Sequence, residues 1–155
     1  MDIFEALRLS HDTQRALASQ ILETRGASAD RTRLFGELKK ELAAHAAAEE
    51  RFFYTPLIGH DESIGQARHG MAEHHEMDEM VAELEKTDHS SSGWIAQFKR
   101  LRDKVFHHLE DEEHAIFQLA GKVLSQADKT SLAKEYEAEF VTFRLNGAPV
   151  SSAED

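Results

Sequence analysis

The residues of this chain best suited to chemistry are a histidine and carboxylate set written twice. His11 lies 34 positions before His45-Ala-Ala-Ala-Glu49-Glu50, and His74 lies 34 positions before His108-Leu-Glu-Asp-Glu112-Glu113; adding 63 to each number in the first set gives the second. On a helix, residues four apart share a face about one turn from each other, so each His-x-x-x-Glu can aim an imidazole and a carboxylate at one point. Two such pairs and two lone histidines give six convergent donors: His11, His45, Glu49, His74, His108 and Glu112. With 10 His and 29 acidic residues in the chain, one such pair arises freely, but two at matching offsets do not.

The chemistry this set suits is metal binding through nitrogen and oxygen. The chain has no cysteine, which removes thiolate catalysis, disulfides and sulfur-ligated clusters. Iron, manganese and zinc remain, with an imidazole-rich mixture suiting iron or zinc. Six donors exceed the four of a structural zinc site, so two ions are expected. Glu49 and Glu112 would bridge them, His11 and His45 serving one ion, His74 and His108 the other. A solvent-derived oxo or hydroxo bridge would supply a fifth donor to each ion and leave one position open for water, dioxygen, peroxide or nitric oxide.

Long stretches of Ala, Leu, Glu, Lys and Arg with only two prolines, Pro56 and Pro149, predict an all-helical chain to position these residues. Breakers at Arg25 to Ser28, Pro56 to Asp61 and Thr87 to Gly93 divide it. Helices are expected over about 2–25, 29–55, 62–86 and 93–125, with a shorter fifth over about 129–145 capped by Asp128. Short loops between long helices predict an all-α, up-down-up-down four-helix bundle over residues 1–125. A short C-terminal helix over 126–145 packs on or extends it, and a polar tail over 146–155 is expected to be disordered. The 63-residue shift also aligns Phe35 with Phe98, Leu38 with Leu101, Leu42 with Val105 and Ile21 with Leu84, predicting two hairpins related by a pseudo-two-fold axis.

At about 100° per residue, His45 and Glu49 fall in the apolar stripe of the second helix, marked by Leu34, Leu38 and Leu42, while Glu50 points away. Glu112 and His108 fall in the stripe of the fourth, through Phe98, Leu101 and Ile116; His107 and His114 face solvent. His11 lies on the line of Ile3, Leu7 and Ile21. His74 is preferred to His75 because it lies about 35° from the centre of the Met77 and Val81 stripe, against about 135°. A carboxylate within an apolar face is costly unless a cation meets it. Phe52, Phe53 and Phe117 would wall the site, whereas a straight helix turns Tyr54 away from it.

The net charge of −11 argues against nucleic acid and anionic membrane surfaces as partners. No apolar run approaches the roughly 20 residues of a membrane span, and the start Met1-Asp2-Ile3-Phe4-Glu5 lacks a leader's plan, so a cytoplasmic protein is expected, monomeric or weakly oligomeric.

Taken with Glu73-His74, Glu113 and the run from Glu50 through Tyr54 to Pro56, these motifs resemble the hemerythrin HHE cation-binding family over approximately residues 1–125. The order His-x-x-x-Glu differs from the Glu-x-x-His of ferritin-like di-iron proteins. The resemblance implies a four-helix bundle around two iron ions in an oxo- or hydroxo-bridged, non-haem centre. Oxygen-carrying members have a second histidine in the third helix four positions after the first; here that position is Asp78. Their last carboxylate is an Asp five positions after its histidine, where this chain has Glu112 four after His108. Both departures argue against simple oxygen carriage. The leading expectation is a di-iron protein that binds or reacts with dioxygen, peroxide or nitric oxide, in redox or oxygen sensing or in peroxide detoxification. The alternatives are a non-catalytic metal-responsive module or iron store acting through a protein partner in trans, and a zinc-filled or metal-free scaffold.

Overall fold

The computed structural model describes residues 1–147 as helices joined by short turns, and there is no strand among the described residues. Helices α1 (Ile3–Leu22) and α2 (Ala29–Glu49) form a first hairpin, α2 continuing through a π turn (Glu50–Tyr54) into α3 (Thr55–Ile58). Helices α4 (Ile64–Lys86) and α5 (Ser92–Asp111) form a second, α5 continuing through another π turn (Glu112–Ile116) into α6 (Phe117–Val123); α7 (Gln126–Asn146) follows. Polar side chains close the exposed N–H groups of the helix starts. Asp2 and Glu5 form a reciprocal capping box on α1, and Ser28, Ser91 and Ser125 cap α2, α5 and α7.

Burial along each helix sets the direction in which it runs. One apolar cluster holds Ile3 and Leu7 of α1, Phe53 and Leu57 after α2, Ala67 of α4, and Ile116 and Phe117 after α5. A second holds Ile21, Leu38, Val81 and Phe98 from the opposite ends of the same four rods. The chain therefore passes from the first cluster to the second in α1, back in α2, forward in α4 and back in α5, which is the expected up-down-up-down bundle. Between the clusters every rod carries buried polar residues: His11 in α1, His45 and Glu49 in α2, Glu73 and His74 in α4, and His108 and Glu112 at the end of α5. The site is a polar layer across an otherwise apolar bundle.

Two expectations need adjustment. The fifth helix is not short: its 21 residues equal those of α2, and it packs along α1, α2 and the first π turn. It starts earlier than Asp128 because the Ser125 side chain accepts the Asp128 N–H; Leu124 and Ser125 are extended and Ser125 is the cap. Of the expected tail, Asn146 ends α7 and Gly147 caps it at φ 71°, a left-handed conformation that glycine adopts without strain, while 148–155 lie outside the described residues.

At the loop end of the second cluster, Arg31 ties the hairpins together. Its guanidinium donates to Thr24 Oγ1 at 2.9 Å, the Thr24 carbonyl at 2.8 Å and the His89 carbonyl at 2.7 Å, and lies 4.8 Å from the Trp94 ring centroid.

Candidate metal centre

All six residues singled out by spacing and helical phase meet in the polar layer, with the imidazole Nε2 atoms turned inward. His45 Nε2 and His74 Nε2 lie 3.3 Å and 3.0 Å from the two oxygens of Glu49. His11 Nε2 and His108 Nε2 lie 3.1 Å and 3.6 Å from the two oxygens of Glu112. Two four-donor groups result, His11–His45–Glu49–Glu112 and Glu49–His74–His108–Glu112, each with its donor atoms within 4.8 Å of one another. Both carboxylates belong to both groups. The four Nε2 atoms, both Glu49 oxygens and Glu112 Oε1 are buried and make no hydrogen bond. Orphaned buried polar atoms are rare and costly. Seven of them, all N or O donors converging on one volume, fit metal cations of intermediate hardness.

The outward Nδ1 atoms explain why the rings hold this orientation. His11 Nδ1 lies 2.7 Å from Glu113 Oε2, and Arg15 grips the same carboxylate with contacts of 3.1 Å and 2.9 Å. His108 Nδ1 lies 2.9 Å from Glu73 Oε1, whose other oxygen takes Lys104 Nζ at 3.2 Å. His45 Nδ1 lies 2.8 Å from the hydroxyl of Tyr136 in α7. His74 Nδ1 faces Glu50 at 3.6 Å, an ion-pair distance too long for a hydrogen bond. An imidazole that donates from Nδ1 to a fixed acceptor presents the Nε2 lone pair to the centre. Glu50, which helical phase turns away from the apolar stripe, nevertheless faces the outer nitrogen of His74 in α4, and Glu113 meets that of His11 in α1. Tyr136 carried no signal in the sequence, because helical phase within one rod does not show which ring another rod will touch.

The π turns change what the rods present. The Thr55 N–H bonds to the Glu50 carbonyl and the Phe117 N–H to the Glu112 carbonyl, each five residues back, so the backbone winds more slowly here than in the α-helix. The lag accumulated by Tyr54 swings its ring inward, against the straight-helix expectation. Its hydroxyl donates to Glu112 Oε2, and its ring lies 5.4 Å from that of His74. Gly70 in α4 makes room for this ring, since a Cβ there would lie 2.5 Å from Tyr54 Cζ. Phe117, 63 positions after Tyr54, stacks on His11 at 6.0 Å with the planes 18° apart. Phe53 is buried beside Phe4 and Phe117, while Phe52 is half-buried at the margin.

Protonation supplies the positive charge that two buried carboxylates otherwise lack. Burial would lower His11, but its contacts with Glu112 and Glu113 outweigh this and raise it to about 9. His74 rises to about 10 because Glu49 and Glu50 likewise overcome burial. Burial wins at His45, which falls to about 4. Burial pushes Glu49 up, but the facing imidazoles of His45 and His74 hold it well below the usual carboxylate range. Burial and the charge on Glu49 lift Glu112 to about 7. The outer acceptors stay ionised: Glu73 is held at about 2, first by His108, and Glu113 at about 2, first by His11.

His75 is exposed and pairs with Glu79 at 3.0 Å on the surface, away from the centre, and His60, His107 and His114 are also exposed. Asp78 is exposed and belongs to neither donor group.

Residues 2–120 match the family model described as the hemerythrin HHE cation binding domain. A curated relative, a DNA nickase from Nostoc sp., is 25% identical over 138 residues. The match covers 89% of this chain but 39% of the relative, so the chain spans about two fifths of that protein's length. A crystal structure of a hemerythrin HHE cation-binding domain-containing protein from Mycobacterium kansasii shares the fold, with a TM-score of 0.83 at 23% identity over 93% of this chain and 88% of that one.

Proposed function

We propose that this chain, which belongs to the hemerythrin HHE cation-binding family, holds two iron ions in the polar layer and uses them to bind or react with a small oxidant. The carrying observation is the seven orphaned donor atoms, arranged as two four-donor groups that share Glu49 and Glu112. His11 and His45 would hold one ion, His74 and His108 the other, and the carboxylates would span both. Such a pair would supply redox electrons and Lewis acidity toward dioxygen, peroxide or nitric oxide.

The protein's own residues limit what can happen there. Tyr54 fixes Glu112 by hydrogen bonding to it, and Phe53 and Phe117 exclude water from the side of the first cluster. Glu113, Tyr136 and Glu73 hold the Nδ1 hydrogens of three histidines, which keeps each Nε2 free as a donor. A role in redox sensing or peroxide breakdown suits a centre with four histidine and two carboxylate donors. No helix among the described residues is long and apolar enough to cross a membrane. The charge of −11 does not favour extending to this chain the DNA named for the Nostoc relative.

The test is anaerobic iron loading followed by stepwise exposure to oxygen, peroxide and nitric oxide under absorption spectroscopy. The expected result is roughly two irons per chain and a visible band that changes on exposure. One zinc per chain and no iron-dependent band would instead favour a zinc-stabilised scaffold. A second reading is a metal-responsive module or iron store working through a partner, and the contact between His45 and α7 supports it, because occupancy would then be felt by an outer helix. Turnover of peroxide by the loaded protein would count against a purely structural ion.

A further inference from the structure

The 63-residue repeat equates the two halves of the centre, and it fails in the groups behind the histidines. Glu73, the carboxylate behind His108, corresponds to Ser10; Lys104, which holds Glu73, corresponds to Glu41. In the first half Ser10 instead donates to Glu41 Oε2 at 2.7 Å. Tyr136 from α7 takes the position on His45 Nδ1 that Glu73 takes on His108. A third difference lies inside the site: Tyr54, whose ring lies by His74, reaches Glu112, whereas its counterpart Phe117, stacked on His11, has no hydroxyl to offer Glu49. The remaining pair keeps the repeat in residue type but not in geometry: Glu113 meets His11 at 2.7 Å and is gripped by Arg15, whereas Glu50 stands 3.6 Å from His74 and Asp78 takes the place of Arg15.

These substitutions make the halves chemically unequal. An imidazole that donates its N–H to a carboxylate gains electron density and binds a cation more strongly than one that donates to a neutral hydroxyl. In the His74–His108 half Glu73 accepts from His108, and Glu50 faces His74 at 3.6 Å as a charge rather than as a hydrogen-bond acceptor. The His11–His45 half has one carboxylate and one phenol. The first hairpin is also covered by α7, while α4 and α5 are not.

We infer that the two halves fill in order, a first divalent transition-metal ion settling against His74 and His108 and a second against His11 and His45, with Tyr136 as the positioning residue that tunes the second half. The inference rests on the metal reading above. It assigns α7 a role in the site: among the described residues, Tyr136 of α7 is the group that orients a donor from outside the four rods.

Zinc titration of the metal-free chain tests this, followed by calorimetry and by imidazole 15N–1H correlation spectra. The first equivalent is expected to shift the Nε2 signals of His74 and His108, and the second those of His11 and His45. Tyr136→Phe should weaken the second step about 10- to 100-fold and leave the first unchanged, while Glu73→Gln should weaken the first by a similar factor. A Tyr136→Phe chain that loses thermal stability but keeps both binding steps would show a packing role only and overturn the tuning. Two equivalents that bind with one constant and shift all four imidazoles together, or a first ion on His11 and His45, would overturn the order. Absence of any zinc or iron binding would overturn the metal reading itself, a result distinct from unordered binding.

Discussion

Tyr54, which follows the first His-x-x-x-Glu motif, gives its hydroxyl hydrogen to Glu112, the carboxylate of the second. The two halves of the site are therefore joined by a bond between hairpins as well as by a shared volume. Tyr54→Phe keeps the ring and leaves a buried carboxylate oxygen without its donor, which should cost about 1–3 kcal/mol of unfolding free energy in urea titrations. Gly70→Ala should act through the same bond from the other side. The added carbon collides with the ring, so an overpacking cost of about 1–3 kcal/mol is expected although alanine is the better helix former.

Histidine variants separate the centre from the surface. His45→Ala and His108→Ala should reduce bound iron to background by elemental analysis, whereas His60→Ala, His107→Ala and His114→Ala should leave it intact. Equal losses in both groups would refute the assignment of the inward rings.

The charge state predicts how pH acts. His11 and His74 are raised above the ordinary histidine value of 6.5, to about 9 and about 10. Their contribution to the stability of the metal-free chain is therefore complete below pH 6.5 and lost as pH rises through about 9 and about 10. The urea midpoint of metal-free protein should fall across that alkaline window. A cation that takes the two Nε2 positions must displace these protons, so loading should release protons and tighten as pH rises. Calorimetry in buffers of different ionisation enthalpy measures the release.

Arg31 provides a control remote from the centre. Arg31→Ala strips the Thr24 and His89 carbonyls of their donors, so unfolding should be easier by about 3 kcal/mol with metal content unchanged. Arg31→Lys should recover little, because one ammonium cannot serve three acceptors in the plane of a guanidinium.

The parts of this molecule legible in the sequence are those that obey one regular period. The inward placement of His11, His45, Glu49, His74, His108 and Glu112 follows from 100° steps along unbroken helices, and the choice of His74 over His75 does too. Tyr54 escaped because a π turn starts at Glu50 and breaks that step. Glu50 and Glu113 escaped for a different reason: phase sorts residues into core and solvent, but an imidazole has a second, outer nitrogen that needs a partner from the margin between them. Tyr136 lies on a helix whose only buried residues are Ala133, Tyr136 and Glu139, too narrow a stripe for its docking face to be read from periodicity.

The two apolar clusters give the molecule two separate cores, each closed at its own end of the bundle. Helices usually fray inward from their ends, and a single core resists most at its middle. In the metal-free chain that order should be reversed: the plane through His11, His45, His74 and His108 would be the waist at which the protein breathes, its amides exchanging sooner than those near Leu7 or Ile21. A pair of cations would then act as a clasp between two halves that are each well packed, and the step that equips the centre for chemistry would also make the bundle one cooperative unit.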